Sequence, residues 1–326
     1  MTNENRITSI LGIQYPIVQA AMSWITDAAM VAAVSNAGGM GVLGPNAGAK
    51  FDGEQRISSE ERLRREIRKI KTITDKPFAM NVLFPEEGDE TSEQYALHTL
   101  NVALEEGVRH FLAVGTVNTK LFKKVKHHQA ILIFRELTPT PKGAQAAEVA
   151  GADILIATGY DEGGWIPQNQ IGTFSIIPTI ADAVDIPVMA TGGINDIRGV
   201  RAAFALGAEG VYIGTRFIVS KECPAADIVK QDIVSSTANN LVFVSPLQRS
   251  IAHKLSLELA SMHENGTAPA EEMSLKPGML EGKLDEGIIS VNTAIDVIKE
   301  IKTCGEIVQE LMADFIQHPQ PMNISL

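Results

Sequence analysis

Eight short apolar runs, rich in β-branched residues, alternate with longer segments of helical character, and that alternation constrains the fold more than any other feature of the chain. The runs are Ile17 to Ala20, Gly41 to Leu43, Phe78 to Leu83, His110 to Val114, Ile131 to Phe134, Ile154 to Ala157, Val188 to Thr191 and Gly210 to Ile213. Strands with one wet face alternate polar with apolar residues, whereas these runs stay apolar, as parallel strands buried on both faces do. Helical patterns lie between them at Asp27 to Asn36, Ser59 to Ile73, Ser92 to Glu105, Pro141 to Ala150, Phe174 to Val184 and Ile197 to Leu206. Asp27 and Ser59 stand where N-caps belong, and Gly38, Gly107, Gly151 and Gly207 where helices stop. In Ala150 to Asp153 and Leu206 to Glu209 the glycine stop is followed at once by a strand, the tight connection of βα units. The expected class is α/β, a closed (β/α)8 TIM barrel over residues 1–224; periodicity favours it over an open sheet without separating the two.

After Pro224 no new strand series is expected. Asp227 to Met262 reads as helical, Asn265 to Lys283 as irregular, and Val291 to Phe315 as a last helix. Residues 225–284 are thus expected to form a helical addition over the barrel mouth, and residues 285–326 a C-terminal helix returning to the barrel. The stretch RLRREIRKIK, Arg62 to Lys71, could dock an acidic carrier, but Leu63, Ile67 and Ile70 recur at helical spacing, so a solvated amphipathic face is the better reading.

Composition closes off several functions. A net charge of −11 opposes attraction to phosphate backbones, so nucleic acid is not an expected partner. No apolar run approaches the length of a spanning helix, and the polar opening Met1 to Arg6 lacks signal-peptide layout; no membrane association and a cytoplasmic location are expected. Cys223 and Cys304 have no disulfide-like or metal-like spacing and read as reduced thiols. No metal site is expected, since neither HExxH nor a Cys/His grouping occurs.

Barrel enzymes bind ligands at the C-terminal ends of their strands, where loops vary on a fixed base. There the seventh strand ends in Thr191-Gly192-Gly193 and the eighth in Gly214-Thr215. Taken singly these glycines could serve tight turns only. As a pair on consecutive strands they offer bare backbone N–H groups and a hydroxyl, at helix starts, to a dianionic phosphate. No GxxxxGK[ST] loop and no GxGxxG after a first strand is present, so the phosphate belongs to a cofactor or substrate outside the nucleoside-triphosphate and Rossmann classes. No Lys ends strand six or seven, which argues against a Schiff-base aldolase.

The stretches Ile171-Gly172-Thr173-Phe174 to Pro178, Asp185 to Ile194 and Ala202 to Phe217 closely resemble the nitronate monooxygenase (2-nitropropane dioxygenase) and enoyl-ACP reductase II family of FMN-dependent barrel oxidoreductases. Tyr15 to Met22, Ser35 to Gly41 and Phe78 to Val82 are similar too, so the likeness spans nearly the whole chain and weakens over residues 225–284. The resemblance implies FMN at the mouth. Ala20, Ala21 and Met22 would lie along its ring, Asn81 at the ring edge and Arg135 at the pyrimidine end. Thr158, Gly163 and Gly164 are further expected cofactor contacts, and Thr191, Gly192, Gly193, Gly214 and Thr215 would hold the phosphate. For Arg135 a plain salt bridge, with Glu136 or a neighbouring helix, is the alternative.

One position departs from the family. Its members carry a Glu-x-Gly-Gly-His-like sequence after strand six, with the His over the flavin; this chain reads Asp161-Glu162-Gly163-Gly164-Trp165. An indole donates only and does not titrate near neutrality, so Trp165 cannot act as a base, although it can wall an apolar substrate. Hydride transfer needs no protein base, and a proton could come from water, Tyr160, Asp161 or His253. Each has a structural alternative: Tyr160 closing the loop, Asp161 or Glu162 solvated or capping the next helix, His253 on an exposed face. His98, His110, His127, His128, His263 and His318 fall outside the expected mouth.

The reading is an FMN enzyme taking electrons from NAD(P)H to reduce an enoyl, enone or quinone-like acceptor. Oxidation of alkyl nitronates with O2, and a flavin-binding sensor or scaffold without catalysis, are the alternatives. The expected partner is a small molecule or acyl thioester, with a homodimer left open.

Overall fold

Eight parallel strands pair in the order β1-β8-β7-β6-β5-β4-β3-β2. They are β1 Ile17–Gln19, β2 Val42–Leu43, β3 Ala79–Phe84, β4 His110–Gly115, β5 Ile131–Glu136, β6 Ile154–Thr158, β7 Val188–Thr191 and β8 Gly210–Ile213. A parallel bridge between Val18 and Met40 joins the two ends of that order and closes the barrel. All eight apolar runs lie on these strands. The computed structural model describes residues 5–48, 57–267 and 275–317, so His318 lies outside them.

Alternation along each strand divides the core. Val18, Ala79, Leu112, Ile154, Met189 and Tyr212 fill the barrel, while Ile17, Met80, Phe111, Leu155 and Val211 face the surrounding helices. Each aliphatic side chain so buried stabilises the fold by about 1.5–3 kcal/mol. Helix starts follow the capping chemistry: Asp27 accepts from the N–H groups of Ala29 and Met30, both at 3.1 Å. At the next helix the cap is Ser58 rather than Ser59, accepting from Glu61 at 3.2 Å. The basic segment is an amphipathic helix that buries Ile67 and Ile70, with Arg64 and Arg68 paired to Glu106. Between β4 and β5, where no helical pattern was singled out, lies helix Thr119–His127, which buries Leu121, Phe122 and Val125.

Two helical expectations after Pro224 are corrected. Between helices Asp227–Ser235 and Lys254–Glu264 the chain forms an antiparallel hairpin, β9 Leu241–Ser245 and β10 Gln248–Ile251. Leu241-Val242-Phe243-Val244 is β-branched and aromatic, and Pro246 breaks it, so strand propensity wins over helix here. The expected helix from Val291 is instead an irregular strap with one 3-10 turn at Ile295–Val297, and helix begins only at Cys304. Thr303 caps that helix, accepting from Glu306 N while Glu306 accepts from Thr303 N. The apolar spacing of Ile288, Ile289, Val291, Ile295 and Ile298 mimics a helix face, but all five are buried because the strap crosses between barrel and addition.

Candidate functional site

The strap makes the mouth. Ile289 N donates to Ser250 Oγ at 2.8 Å and Ile251 N to Ile289 O at 3.0 Å, which fastens the strap to β10. Ser290 Oγ donates to Arg249 O and to Gly163 O, Thr293 N to Asp161 O at 3.0 Å, and Asn292 N to Thr215 Oγ1 at 3.0 Å. Hairpin, loop after β6 and end of β8 are thereby drawn around one opening.

At the corner of β7 and β8, Gly192 and Gly193 hold φ of 109° and 69°, a region that side chains disfavour. Thr173 Oγ1 donates to Gly192 O at 2.8 Å, fixing the turn from the neighbouring helix. A Cβ on Gly214 would meet Ala20 Cβ at 3.5 Å and Met22 Sδ at 3.7 Å, so the first-strand loop lies beside this corner. Ala21 in that loop donates to the Tyr212 hydroxyl at 3.0 Å, and burial pushes that phenol up to about 12. Among the described residues no protein acceptor takes the backbone N–H of Gly192, Gly193, Gly214 or Thr215. Four unclaimed donors at one corner, two of them opening helix Thr215–Ile218, form the donor set a dianionic phosphate requires.

Across the mouth, β5 carries Arg135 one residue before its end, buried, its Nε donating to Thr158 Oγ1 at 3.0 Å at the end of β6. Its Nη2 pairs with Glu162 and lies 3.5 Å from Trp165 O. The ion pair is thus with Glu162 and not with Glu136, which accepts from Thr140 N instead. Asn81 is buried, donating to Leu112 O at 3.1 Å, and Leu83 two residues on points inward yet stays 54% exposed. An inward leucine left uncovered marks open space above the barrel core.

Of the residues weighed as proton donors, Asp161 and His253 have their titratable groups engaged, and Tyr160 has its ring packed. Asp161 Oδ2 accepts from Thr173 N at 2.7 Å, so its carboxylate caps the helix after the loop. His253 Nε2 lies 2.9 Å from Asp232 Oδ2, between two helices of the addition. Tyr160 stacks on Phe243 with ring centroids 6.1 Å apart, and its carbonyl accepts from Arg249 at 2.6 Å. Trp165 is half-buried beside Glu162 and exposed Gly164.

Two charged residues at the mouth escaped the sequence reading as site residues. Arg249, on β10, is 3% exposed; its guanidinium sits 5.2 Å from the rings of both Tyr160 and Phe243, and its Nε has no partner. Burial lowers its pKa. Glu162 is 9% exposed, and burial raises its carboxyl to about 7 despite the opposing pull of Arg135 and Arg249. Arg249 contacts a loop 89 residues away, a pairing no local pattern announces. Elsewhere, Cys223 and Cys304 are free, buried thiols, with burial holding both well above their ordinary range. No described residues group as a metal site, and no described helix is long and apolar enough to cross a membrane.

The chain is similar to known proteins over most of its length. The sequence model of a family described as nitronate monooxygenase matches residues 4–314. A probable nitronate monooxygenase of Staphylococcus aureus is 32% identical, covering 80% of this chain and 81% of the relative. A (3aS,4S,5R,7aS)-5-hydroxy-7a-methyl-1-oxo-octahydro-1H-indene-4-carboxyl-CoA dehydrogenase of Rhodococcus jostii is 26% identical over 97% of both chains. Among solved structures, FabK of Thermotoga maritima superposes with a TM-score of 0.83 at 31% identity over 97% of both chains.

Proposed function

The chain belongs to the nitronate monooxygenase family and is an oxidoreductase, and on that premise we propose that it binds FMN at the barrel mouth and uses NAD(P)H to reduce an enoyl, enone or quinone-like acceptor. The observation that carries the cofactor assignment is the set of four unclaimed N–H groups at the β7 and β8 corner. Gly192, Gly193, Gly214 and Thr215 would hold the phosphate, with Thr191 beneath them. Ala20, Ala21, Met22, Asn81, Thr158, Gly163 and Gly164 would border the ring, and Leu83 supplies apolar surface. The chemistry that the cofactor supplies when bound is hydride transfer.

The protein's own part is positioning and charge. Arg135 brings a buried cation to the mouth, held by Thr158 and Glu162, which favours negative charge on a neighbouring ring or substrate oxygen. Trp165 presents an apolar face and a donor but no base, which suits a reductase better than an enzyme that must remove a carbon-bound proton. The thioester named for the Rhodococcus relative and the likeness to FabK over the full chain support an acyl-thioester or enone acceptor. Oxidation of alkyl nitronates is the second reading, favoured by the Staphylococcus relative's name.

The test is the visible spectrum of the purified protein under argon. A flavin spectrum bleached by NAD(P)H is expected. Bleaching by an alkyl nitronate alone would favour the second reading, and a colourless protein that takes up no added FMN would overturn both.

A further inference from the structure

We propose that Glu162 holds and delivers the proton that accompanies reduction of the acceptor, in the place left by Trp165; this rests on the reductase reading above.

The geometry separates the two oxygens of this carboxyl. Oε1 is engaged by Arg135 Nη2. Oε2 has no hydrogen-bond partner among the described residues, and it does not rank among the sealed polar atoms, which are Thr116 Oγ1 and Arg249 Nε. It therefore reaches solvent, through the 11% of the Glu162 side chain that remains uncovered. The opening lies beside Gly164: apart from its two chain neighbours, a Cβ built there would meet nothing nearer than Oε2 itself, at 4.0 Å. Gly164 is exposed, so the free oxygen looks out next to a residue without a side chain, on the loop that carries Trp165.

The surroundings suit a group that cycles between acid and carboxylate. Facing it are Arg135 from β5 and Arg249 from β10, with the Tyr212 phenol from β8 within electrostatic reach and Tyr160 and Asp161 on its own loop. Burial favours the acid and the two guanidiniums favour the carboxylate, and the balance falls near neutrality, at about 7. The Asp161 carboxylate is committed to a helix cap and the His253 imidazole to a hydrogen bond with Asp232, while Tyr160 packs its ring on Phe243. Glu162 is the mouth carboxyl left with a free oxygen.

The step balances. An enoyl thioester or enone takes a hydride, originating from NAD(P)H, at its β-carbon, and the carbon–carbon π bond breaks toward the carbonyl. The Oε2–H bond of Glu162 then breaks as a C–H bond forms at the α-carbon. The resulting carboxylate is compensated by Arg135 and Arg249 and regains its proton from water.

Glu162→Gln keeps an acceptor for Arg135 and removes the titratable proton, so it is the variant to compare with wild type in two measurements. The first is ¹³C NMR of protein labelled at the Glu side-chain carboxyls, titrated without substrate. One resonance with a midpoint near 7 that vanishes in E162Q is expected; ionisation of that carboxyl in the ordinary range would overturn the proposal whatever the enzyme's activity. The second is stopped flow of flavin-loaded protein, reduced by NAD(P)H and then mixed with crotonyl-CoA. E162Q should still be bleached by NAD(P)H yet reoxidise about 100-fold more slowly or worse, without the wild-type pH break. Equal reoxidation rates would overturn the proposal. Failure of wild type itself to bleach would strike the reductase reading instead, and the NMR titration would still decide whether Glu162 has the required acidity.

Discussion

Asn195 and Asn292, 97 residues apart in sequence, exchange amide hydrogen bonds of 2.8 and 2.9 Å, Nδ2 to Oδ1 in both directions. Both are buried, and Asn195 Nδ2 also reaches Ala294 O at 2.9 Å while Asn292 Oδ1 accepts from Ala294 N at 3.1 Å. The pair pins the strap to the loop after β7, next to the four free N–H groups.

Asn292→Ala should therefore cost more than one ordinary surface contact. It strips the Asn195 amide of both amide partners in a buried place and frees Ala294 N, for which a loss of about 2–4 kcal/mol is expected. Denaturant unfolding measures the loss. Retention of FMN through gel filtration should weaken in parallel, because the strap also buttresses Thr215. Wild-type stability in this variant would mean that the strap is held by its apolar contacts alone.

Gly193→Val attacks the corner directly. At φ 69° a β-branched residue pays about 1–3 kcal/mol of backbone strain, and its Cβ would stand 3.2 Å from Asp161 Cβ. The expected outcome is loss of FMN affinity measured by fluorescence titration, larger than the loss of thermal stability would explain. Undiminished FMN affinity would contradict the phosphate assignment to Gly193.

The barrel was legible because burial on both faces leaves unbroken apolar runs, and Ile131 to Phe134 or Val188 to Thr191 admit little else. The placement of Gly192, Gly193, Gly214 and Thr215 at the ends of β7 and β8 was legible because they follow the strands at once. Glu162 and Arg249 were not, for a different reason: their environment is assembled from β5, the loop after β6 and a hairpin that local pattern misread as helix. Asn292 failed likewise, since its spacing with Val291 and Ile295 imitates a helix until the barrel loops around it are known.

The carboxyl of Glu162 leaves a signature in stability as well as in rate. Its native pKa, about 7, stands above the ordinary 4.5. Between those two values the native state keeps a proton that the unfolded state releases, so native stability falls as pH rises through the window and levels off above it. The difference in unfolding free energy between wild type and E162Q should thus shift against wild type from about pH 5 to about pH 7 and stay constant beyond. A difference independent of pH would place the native carboxyl in the ordinary range.

Trp165→His asks what the indole removed. The loop backbone around position 165 is held from other residues, by Ile166 N on Leu247 O at 2.9 Å and by Ser290 on Gly163, so an imidazole would be presented on the same frame. General-base assistance contributes about 10²–10⁴ in rate. If the missing base is the main barrier to nitronate oxidation, oxygen uptake with an alkyl nitronate should rise by at least about tenfold in this variant, a conservative fraction of that range. NAD(P)H bleaching should stay near wild type, because the proposed hydride transfer needs no group from position 165. No gain in nitronate turnover, with FMN still bound, would locate the divergence beyond position 165, and the aromatic pair Tyr160 and Phe243 under Arg249 is then the part of the mouth to alter next.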